Sequence, residues 1–334
     1  MALDLFKKIE PRKGLFGVEK IALIYIGLTS LLIIGLYPEL DSPLKMFFDR
    51  AVIVCGTYLL VMLYRFKPSK VTAFTRIAFQ MALLSYWYPD TYELNRVLPN
   101  LDHLFAAAEQ FIFNGQPAIT FSSSFPQTWI SEAFNMGYFA YYPMIFLVAL
   151  VYFFKRYYEF EKVAFILVGS FFIYYLMYIF IPVAGPQYYF PAIGWENVEA
   201  GIFPSIGDYF NHNYQLLPGP GEGSGGFFYG LVDNSQQLGE RPTAAFPSSH
   251  VGISTILMLL GWKVSKRMTL FLLPFYLLLC GATVYIQAHY VIDSIAGFVS
   301  AFLVYYAVSW SYERYFAVEC VDSTKLSFMR SPKR

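Results

Sequence analysis

The chain has 334 residues, of which 57% are hydrophobic, 20% aromatic and only 14% charged. A soluble domain carries charge on about a quarter of its residues, so this composition excludes an ordinary soluble enzyme and favours a membrane protein. The formal net charge of +1 gives no reason to expect nucleic-acid binding.

Long apolar runs separated by charged turns predict an all-α polytopic bundle of about eight membrane spans, which we treat as one integral membrane domain over residues 1–334. The first run follows "MALDLFKKIEPRKG" without a clear small-residue cleavage site, so we expect an uncleaved span. The three cysteines have neither metal-ligand nor disulfide-framework spacing. The predicted spans are residues 21–38, 46–64, 72–88, 135–154, 163–182, 250–264, 268–287 and 290–310.

The distribution of basic residues predicts how these spans are oriented. An even number of spans places both termini on one side of the membrane, and 20 of the 24 Lys and Arg residues then lie on that same side or at its span edges. Because cytoplasmic loops are enriched in Lys and Arg, we expect both termini to be cytoplasmic.

Two long segments then face the extracytoplasmic side, which is the periplasm or an organelle lumen. Residues 89–134 include "NLDHLFAAAEQFIF", which is typical of an amphipathic helix at the membrane interface. Residues 183–249 are rich in Gly, Pro and aromatic residues, which predicts a packed lid loop. Its acidic residues Glu196, Glu222 and Asp233 could bind hydroxyl groups or could be solvated loop charges.

The stretch "FPSSH" begins the sixth predicted span and contains His250. Ser248 or Ser249 can cap this helix, and its free backbone N–H groups are suited to binding phosphate. Arg241, nine residues earlier, can donate two hydrogen bonds to a phosphoryl group.

The seventh span should return the chain to the same face, where "HYVID" contains His289 and Asp293. Asp293 lies four residues after His289, so it can orient that imidazole and leave the second ring nitrogen free to attack. Each of these features alone is also typical of a residue without a catalytic role, either a helix cap or a hydrogen-bonded polar side chain. Their convergence on one face favours catalysis, since ionisable groups at membrane depth are usually functional. No metal or other cofactor is expected, because no two histidines have ligand spacing.

These stretches resemble the membrane branch of the type 2 phosphatidic acid phosphatase superfamily, whose pattern is Lys-x6-Arg-Pro, Pro-Ser-Gly-His and Ser-Arg-x5-His-x3-Asp. Here Arg241-Pro242, Pro247 to His250 and His289 to Asp293 match. The resemblance implies a six-helix phosphatase-like core, with residues 163–310 carrying the phosphotransferase motifs. It also implies that His289 is the nucleophile, His250 the acid and base, and Asp293 the orienting group.

The departures from this pattern remove two cations, because Asn234 stands at the Lys position and Ala282-Thr283 at the Ser-Arg position. Fewer cations suit a phosphodiester better than a phosphomonoester. This departure is similar to the inositol phosphorylceramide synthase branch, which "LPNLDHLF", "GPQYYF" and "AAFPSSH" also resemble.

The resemblance therefore implies transfer of a phosphorylated head group, such as inositol phosphate from phosphatidylinositol, to ceramide through a phosphohistidine. The expected partners are a phospholipid donor and a lipid alcohol acceptor, without nucleic acid. Two alternatives stay open: a phosphatase that hydrolyses phosphatidic acid or a related phosphomonoester, and a non-enzymatic lipid-binding or transport protein. The sequence does not identify the head group.

Overall fold

The computed structural model describes residues 5–213, 215–223 and 225–317, and throughout these ranges the chain is helical with no β-strand. The prediction of an all-α membrane bundle is therefore confirmed. Five helices are long and apolar enough to cross a membrane, and they coincide with five predicted spans. They are α1 (Gly17–Gly35), α2 (Pro43–Phe66), α9 (Tyr157–Phe180), α14 (Lys266–Tyr285) and α15 (Val291–Ser311).

The predicted count of about eight spans is higher than the count in the structure. By length and apolar composition, the described residues form five membrane-crossing helices, or six if one bent pair counts as a span. The run at 135–154 is two helices, α7 (Thr128–Phe139) and α8 (Tyr141–Lys155), bent by 40° and equivalent to a sixth span at most. The run at 72–88 is divided between α3 (Lys70–Ala82) and α4 (Leu84–Asn95). At about 1.5 Å per residue, neither of these short helices crosses the hydrocarbon alone.

The predicted sixth span is also short, because α13 (Ser249–Val264) has only 16 residues. It packs against α8, α14 and α15 and is largely buried within the protein. Protein neighbours, and not lipid, therefore surround the helix that carries His250.

Helix α9 forms the centre of the bundle and packs against α1, α4, α8, α13 and α15. A helix that is apolar on all sides is expected to be buried, and 78% of its apolar window is indeed buried. Tyr25 of α1 stacks on Phe172 of α9 with ring centroids 4.1 Å apart. The core is therefore built around α9, with α2 and α15 more exposed at the periphery.

Two buried ion pairs join the first four helices. The Arg76 guanidinium of α3 lies 2.5 Å from the Glu19 carboxylate of α1, and the Arg50 guanidinium of α2 lies 2.7 Å from the Asp90 carboxylate of α4. All four side chains are almost completely buried, so each charge has its partner inside the protein, as buried charges require.

The two segments predicted to face outward contain several short helices. Residues 89–134 hold α5 (Asp102–Phe113) and α6 (Pro117–Ser124), and α5 exposes Leu104, Phe111 and Ile112. Residues 183–249 are more helical than a loop, since they contain α10 (Pro186–Ile193), α11 (Trp195–Glu199) and α12 (Phe227–Gly239). The Gly-Pro-rich stretch lies before α12 and packs near α7.

Candidate active site

The two histidines singled out in the sequence lie side by side, although 39 residues separate them. His250 is in the first turn of α13, and His289 lies in the turn between α14 and α15. Their ring centroids are 5.8 Å apart. Because α13 and α14 are joined by a short turn and run in opposite directions, the start of one meets the end of the other.

The orientation of His289 is set by a backbone carbonyl. Its Nδ1 lies 2.8 Å from the carbonyl oxygen of Ala245, which can only accept a hydrogen bond. Nδ1 therefore carries the proton, and Nε2 keeps its lone pair. Burial lowers the pKa of His289 to about 4, against the opposing effects of the Ala245 hydrogen bond and the Glu240 charge. This tautomer is the one that a nucleophilic imidazole requires.

The predicted hydrogen bond from Asp293 to His289 is not formed. Asp293 Oδ2 lies 3.7 Å from His289 Nδ1, which is too long for a hydrogen bond, and it accepts instead from the backbone N–H of Tyr290 at 2.9 Å. Asp293 thereby caps α15, while its charge lies close enough to stabilise an imidazolium at His289. The orienting role assigned to Asp293 thus falls to Ala245, a backbone group that side-chain motifs cannot reveal.

His250 packs between two tyrosine rings. Tyr138 stacks on its imidazole at a centroid distance of 4.5 Å, and Tyr141 contacts it at 4.6 Å. Among the described residues the His250 ring makes no hydrogen bond. Both ring nitrogens are therefore available to a substrate.

The two serines before His250 are already engaged in the protein. Ser248 is fully buried, and its hydroxyl accepts from the N–H of Val251, so it is the predicted helix cap. The Ser249 N–H donates to the Tyr178 hydroxyl at 2.9 Å. Two of the first three N–H groups of α13 are thus occupied, and this helix end is less open to phosphate than predicted.

Arg241 lies before α13, and its guanidinium donates to the backbone carbonyl of Glu240 at 2.8 Å. No described hydrogen bond or ion pair joins Arg241 to His250 or His289, so the structure does not link it directly to the pair. Its charge is also not neutralised by any carboxylate in the described ranges. Arg241 consequently remains free to pair with an anion.

Glu240 is a site residue that the sequence analysis missed. Its carboxylate accepts hydrogen bonds from Gln187 Nε2 at 3.0 Å and from the Tyr138 hydroxyl at 3.2 Å. Burial raises the pKa of the Glu240 carboxyl above its ordinary value, although the hydrogen bond from Gln187 and the nearby His289 oppose the shift. In sequence, Glu240 has no signal beyond its position next to Arg241, which is equally typical of a surface pair.

A large cavity of about 780 Å³ ends at these residues. Its polar end is formed by Ser235, Glu240, Ser249 and His250, and the rest of its wall is mainly aromatic and aliphatic. The wall extends to Phe74 of α3 and Phe160 of α9, at the other end of the bundle. We call it the apolar cavity; it is within the size range of small-molecule binding sites.

No cluster of three or more His, Cys, Asp or Glu side chains in the described part of the chain is arranged to hold a metal ion. The chemistry available from these side chains is nucleophilic attack by His289, proton transfer by His250 and charge stabilisation by Arg241 and Asp293.

The residues that form this site lie within a family match. Residues 103–307 match the family model of the PAP2 superfamily, the phosphatase superfamily that the motifs indicated, and this is more than half of the chain. The chain therefore belongs to the PAP2 superfamily. Neither a curated protein nor a solved structure matches the chain significantly. Membership supports phosphatase- or phosphotransferase-type chemistry on lipid phosphoesters.

Proposed function

We propose that this protein transfers a phosphorylated head group from a phospholipid to a lipid alcohol, as an inositol phosphorylceramide synthase does. The donor is phosphatidylinositol and the acceptor ceramide. The observation that carries the proposal is the pair of adjacent histidines: the His289 imidazole is oriented by a hydrogen bond, and His250 lines the polar end of an apolar cavity.

In the first step, His289 Nε2 attacks the phosphorus and the bond to the diacylglycerol oxygen breaks. His250, which is protonated while the anionic phosphodiester is bound beside it, gives its proton to that leaving oxygen, which yields neutral diacylglycerol and a phosphohistidine that carries the head group. Acid catalysis of this kind contributes about 10²–10⁴ in rate. Asp293 stabilises the positive charge that develops on His289.

In the second step, neutral His250 takes the proton of the acceptor hydroxyl as its oxygen attacks phosphorus. The bond from phosphorus to His289 Nε2 breaks, which restores the neutral imidazole and the protonated His250. Arg241 and Ser249 stabilise the phosphoryl oxygens, the electrostatic contribution that is usually largest. Ser248 caps α13 and so holds in place the helix end that carries Ser249 and His250.

Two cations of the superfamily motif are absent from this chain, and their absence supports a phosphodiester substrate. Thr283, at the position of the superfamily arginine, is buried and its hydroxyl pairs with Ser294 at 2.9 Å. Asn234, at the lysine position, bonds to the carbonyl of Gly230 on its own helix. With these two charges absent, Arg241 suits a single negative charge better than two.

A product assay tests the transfer. Purified protein given labelled phosphatidylinositol and ceramide should produce a new phosphorylated ceramide and diacylglycerol in equal amounts, as measured by mass spectrometry. Diacylglycerol formed without the ceramide product would contradict transfer. Release of inorganic phosphate from phosphatidic acid would favour the phosphatase alternative.

The His289→Ala variant separates an enzyme from a lipid carrier. We expect turnover to fall by at least about 10³-fold, because the covalent step is lost, while lipid binding persists. His212→Ala, a substitution of an exposed histidine, serves as the control and should keep full activity. Unchanged turnover in His289→Ala protein would support the non-enzymatic alternative.

We also propose that both termini are cytoplasmic and that the site faces the periplasm or an organelle lumen, because the predicted cytoplasmic side holds most Lys and Arg residues. Impermeant thiol labelling of single cysteines introduced at Lys67 and at Glu196 of a cysteine-free variant tests this arrangement. If the site faces the periplasm, only Glu196→Cys should react in intact cells, and if it faces an organelle lumen, only Lys67→Cys should react in sealed organelle vesicles of native orientation. The reverse pattern in either preparation would contradict the proposed orientation.

A further inference from the structure

A second cavity, of about 370 Å³, lies on the other side of the candidate site, between α7 and the segment at 216–237. We call it the polar pocket. Its apolar floor includes Leu217, Val232 and Ile286, and Ile286 lies three residues before His289. Its polar lining consists of Asn135, Glu222, Tyr229, Asp233, Gln236 and Gln237.

The wall of the polar pocket is fixed to α7 by specific hydrogen bonds. The Glu132 carboxylate accepts from the backbone N–H groups of Phe228 and Tyr229, both at 2.9 Å, and so caps α12. The Ser131 hydroxyl donates to the carbonyl of Pro220 at 2.5 Å. The pocket is therefore preformed, which reduces the entropic cost of binding a ligand.

A chain of side-chain hydrogen bonds connects the polar pocket to Glu240, which lies beside His250 in the wall of the apolar cavity. Gln236 Nε2 donates to Gln187 Oε1 at 3.2 Å, and Gln187 Nε2 donates to the Glu240 carboxylate at 3.0 Å. Glu240 also lines the apolar cavity beside His250. The polar pocket and the apolar cavity are therefore joined through Gln236, Gln187 and Glu240.

The polar lining is rich in hydrogen-bond acceptors. Glu222 and Asp233 contribute carboxylates, and Asn135 is only 2% exposed. The Asn135 amide nitrogen donates to the Ser131 carbonyl at 2.9 Å and to the Ser131 hydroxyl at 3.2 Å, so the amide oxygen is the acceptor that this side chain has left to offer.

The charge of the lining selects the kind of ligand. No Lys or Arg lines the polar pocket, and its two carboxylates would repel a second phosphate. A quaternary ammonium group is usually held by several aromatic rings, whereas Tyr229 is the one aromatic side chain in this lining. The Gln236 amide donates one N–H to Gln187, and the Gln237 amide donates one to Asp233. Hydroxyl groups can donate to the carboxylates and accept from the second N–H of each amide.

We propose that the polar pocket binds an uncharged polyhydroxyl head group, while the phosphate that carries this group lies at His289. This inference rests on the proposed function for the position of the phosphate. It assigns the selection of the head group to Asn135, Glu222 and Asp233, and the lipid chains to the apolar cavity.

Substitutions in the polar pocket test the assignment on the full-length protein. Asp233→Ala and Glu222→Ala should each lower kcat/KM for phosphatidylinositol by about tenfold or more, since each removes a charged acceptor of hydroxyl groups. Turnover of phosphatidylmethanol, a phosphodiester lipid that has no polyhydroxyl head group, should be unchanged. Asn234→Ala is the matched control, because Asn234 is exposed on the same helix and does not line the pocket.

Other outcomes would overturn the inference. An equal loss with both lipids would indicate a structural role, and no loss with either would show that the head group binds elsewhere. A loss restricted to phosphatidylcholine or phosphatidylethanolamine would make the pocket a cation site.

A binding measurement separates this inference from the proposed function. Inactive His289→Ala protein in nanodiscs should bind phosphatidylinositol in preference to phosphatidic acid, and Asp233→Ala added to it should abolish that preference. Selective binding without any transfer by the wild-type protein would leave the pocket assignment intact and contradict transfer. Transfer by the wild-type protein without selective binding would support the proposed function and contradict the pocket assignment.

Discussion

At His289, the hydrogen bond from Nδ1 to the Ala245 carbonyl determines which nitrogen can attack. A carbonyl oxygen can only accept a hydrogen bond, so Nδ1 of the neutral ring must carry the proton. A carboxylate in the same place could also take that proton from the ring. The motif assigns the orientation of the ring to Asp293, whereas in the structure the Ala245 carbonyl holds the ring and the Asp293 carboxyl lies 3.7 Å away without a hydrogen bond to it.

The contribution of Arg241 can be measured against Asn234, which stands where the superfamily has a lysine. We expect Arg241→Ala to lower kcat/KM by about 10- to 100-fold, because a hydrogen-bonded charge on phosphate is lost, and Asn234→Ala to have little effect. Steady-state kinetics with the same phospholipid compares the two. Equal losses would mean that the phosphate does not lie beside Arg241.

At the scale of elements, the site depends on close contact between the start of α13 and the side of α15. A Cβ added at Gly297 of α15 would lie 2.4 Å from the backbone oxygen of Ser248. Backbone cannot move aside as a flexible side chain can, so the glycine is required for this approach.

Gly297→Ala should therefore displace the start of α13 and lower both activity and thermal stability. Gly27→Ala in α1 is the matched control, since no heavy atom lies within 4 Å of its added Cβ. Thermal unfolding and turnover of the two variants provide the comparison. If Gly297→Ala behaved like Gly27→Ala, the helices would not be in this contact.

Glu109 of α5 joins the segment before α7 to the start of α15, where its carboxylate accepts from the N–H of Ile292 at 2.9 Å. Burial raises the pKa of Glu109 from 4.5 to about 7, an effect that the Ile292 hydrogen bond opposes and the charge of Asp293 increases. The folded protein therefore favours the protonated form. This raised pKa predicts a pH-dependent stability.

The contribution of Glu109 to stability should be fully present below pH 4.5 and lost as the pH rises through about 7, because ionisation then occurs in a buried site. Glu109→Gln should remove this part of the pH dependence and raise the melting temperature above neutral pH. Thermal melts of both proteins across this range measure the effect. Parallel curves for the two proteins would contradict the raised pKa.

At the scale of the whole molecule, the bundle around α9 leaves the apolar cavity between α3, α8 and α9 and closes its polar end with His250. The first four helices lie outside the family match, and buried ion pairs hold α1 and α2 to α3 and α4. The cavity wall thus combines α3 and α4 with helices from the matched region.

A narrower apolar cavity should impair the use of long-chain lipids more than the use of short-chain lipids. Ala78→Phe adds a ring to the cavity wall, so it should raise KM for long-chain acceptors while short-chain analogues are used as before. Ala51→Phe, at an exposed position of α2, is the control. Kinetics over a series of chain lengths would show the difference, and an effect independent of chain length would mean that the chains lie elsewhere.

Local patterns determined the parts of the protein that depend on neighbours in sequence. Apolar runs predicted the five helices that are long enough to cross a membrane. A run of about 20 apolar residues can span the hydrocarbon whatever the rest of the chain does. Pro-Ser-Ser before His250 predicted a helix cap, and Ser248 is that cap. His289 and Asp293 were found by their spacing, although the hydrogen bond expected between them is absent.

Tertiary packing decided what depends on groups distant in sequence. The Ala245 carbonyl, the Glu240 carboxylate and the polar pocket arise where the segment at 183–249 packs against the helices, and the apolar cavity arises between α3, α8 and α9. No periodicity encodes these contacts. The bend between α7 and α8 and the division of α3 from α4 were likewise invisible, since hydropathy stays high through both breaks. A motif specifies which atoms are available for chemistry, while the energy of close packing determines which of them face one another.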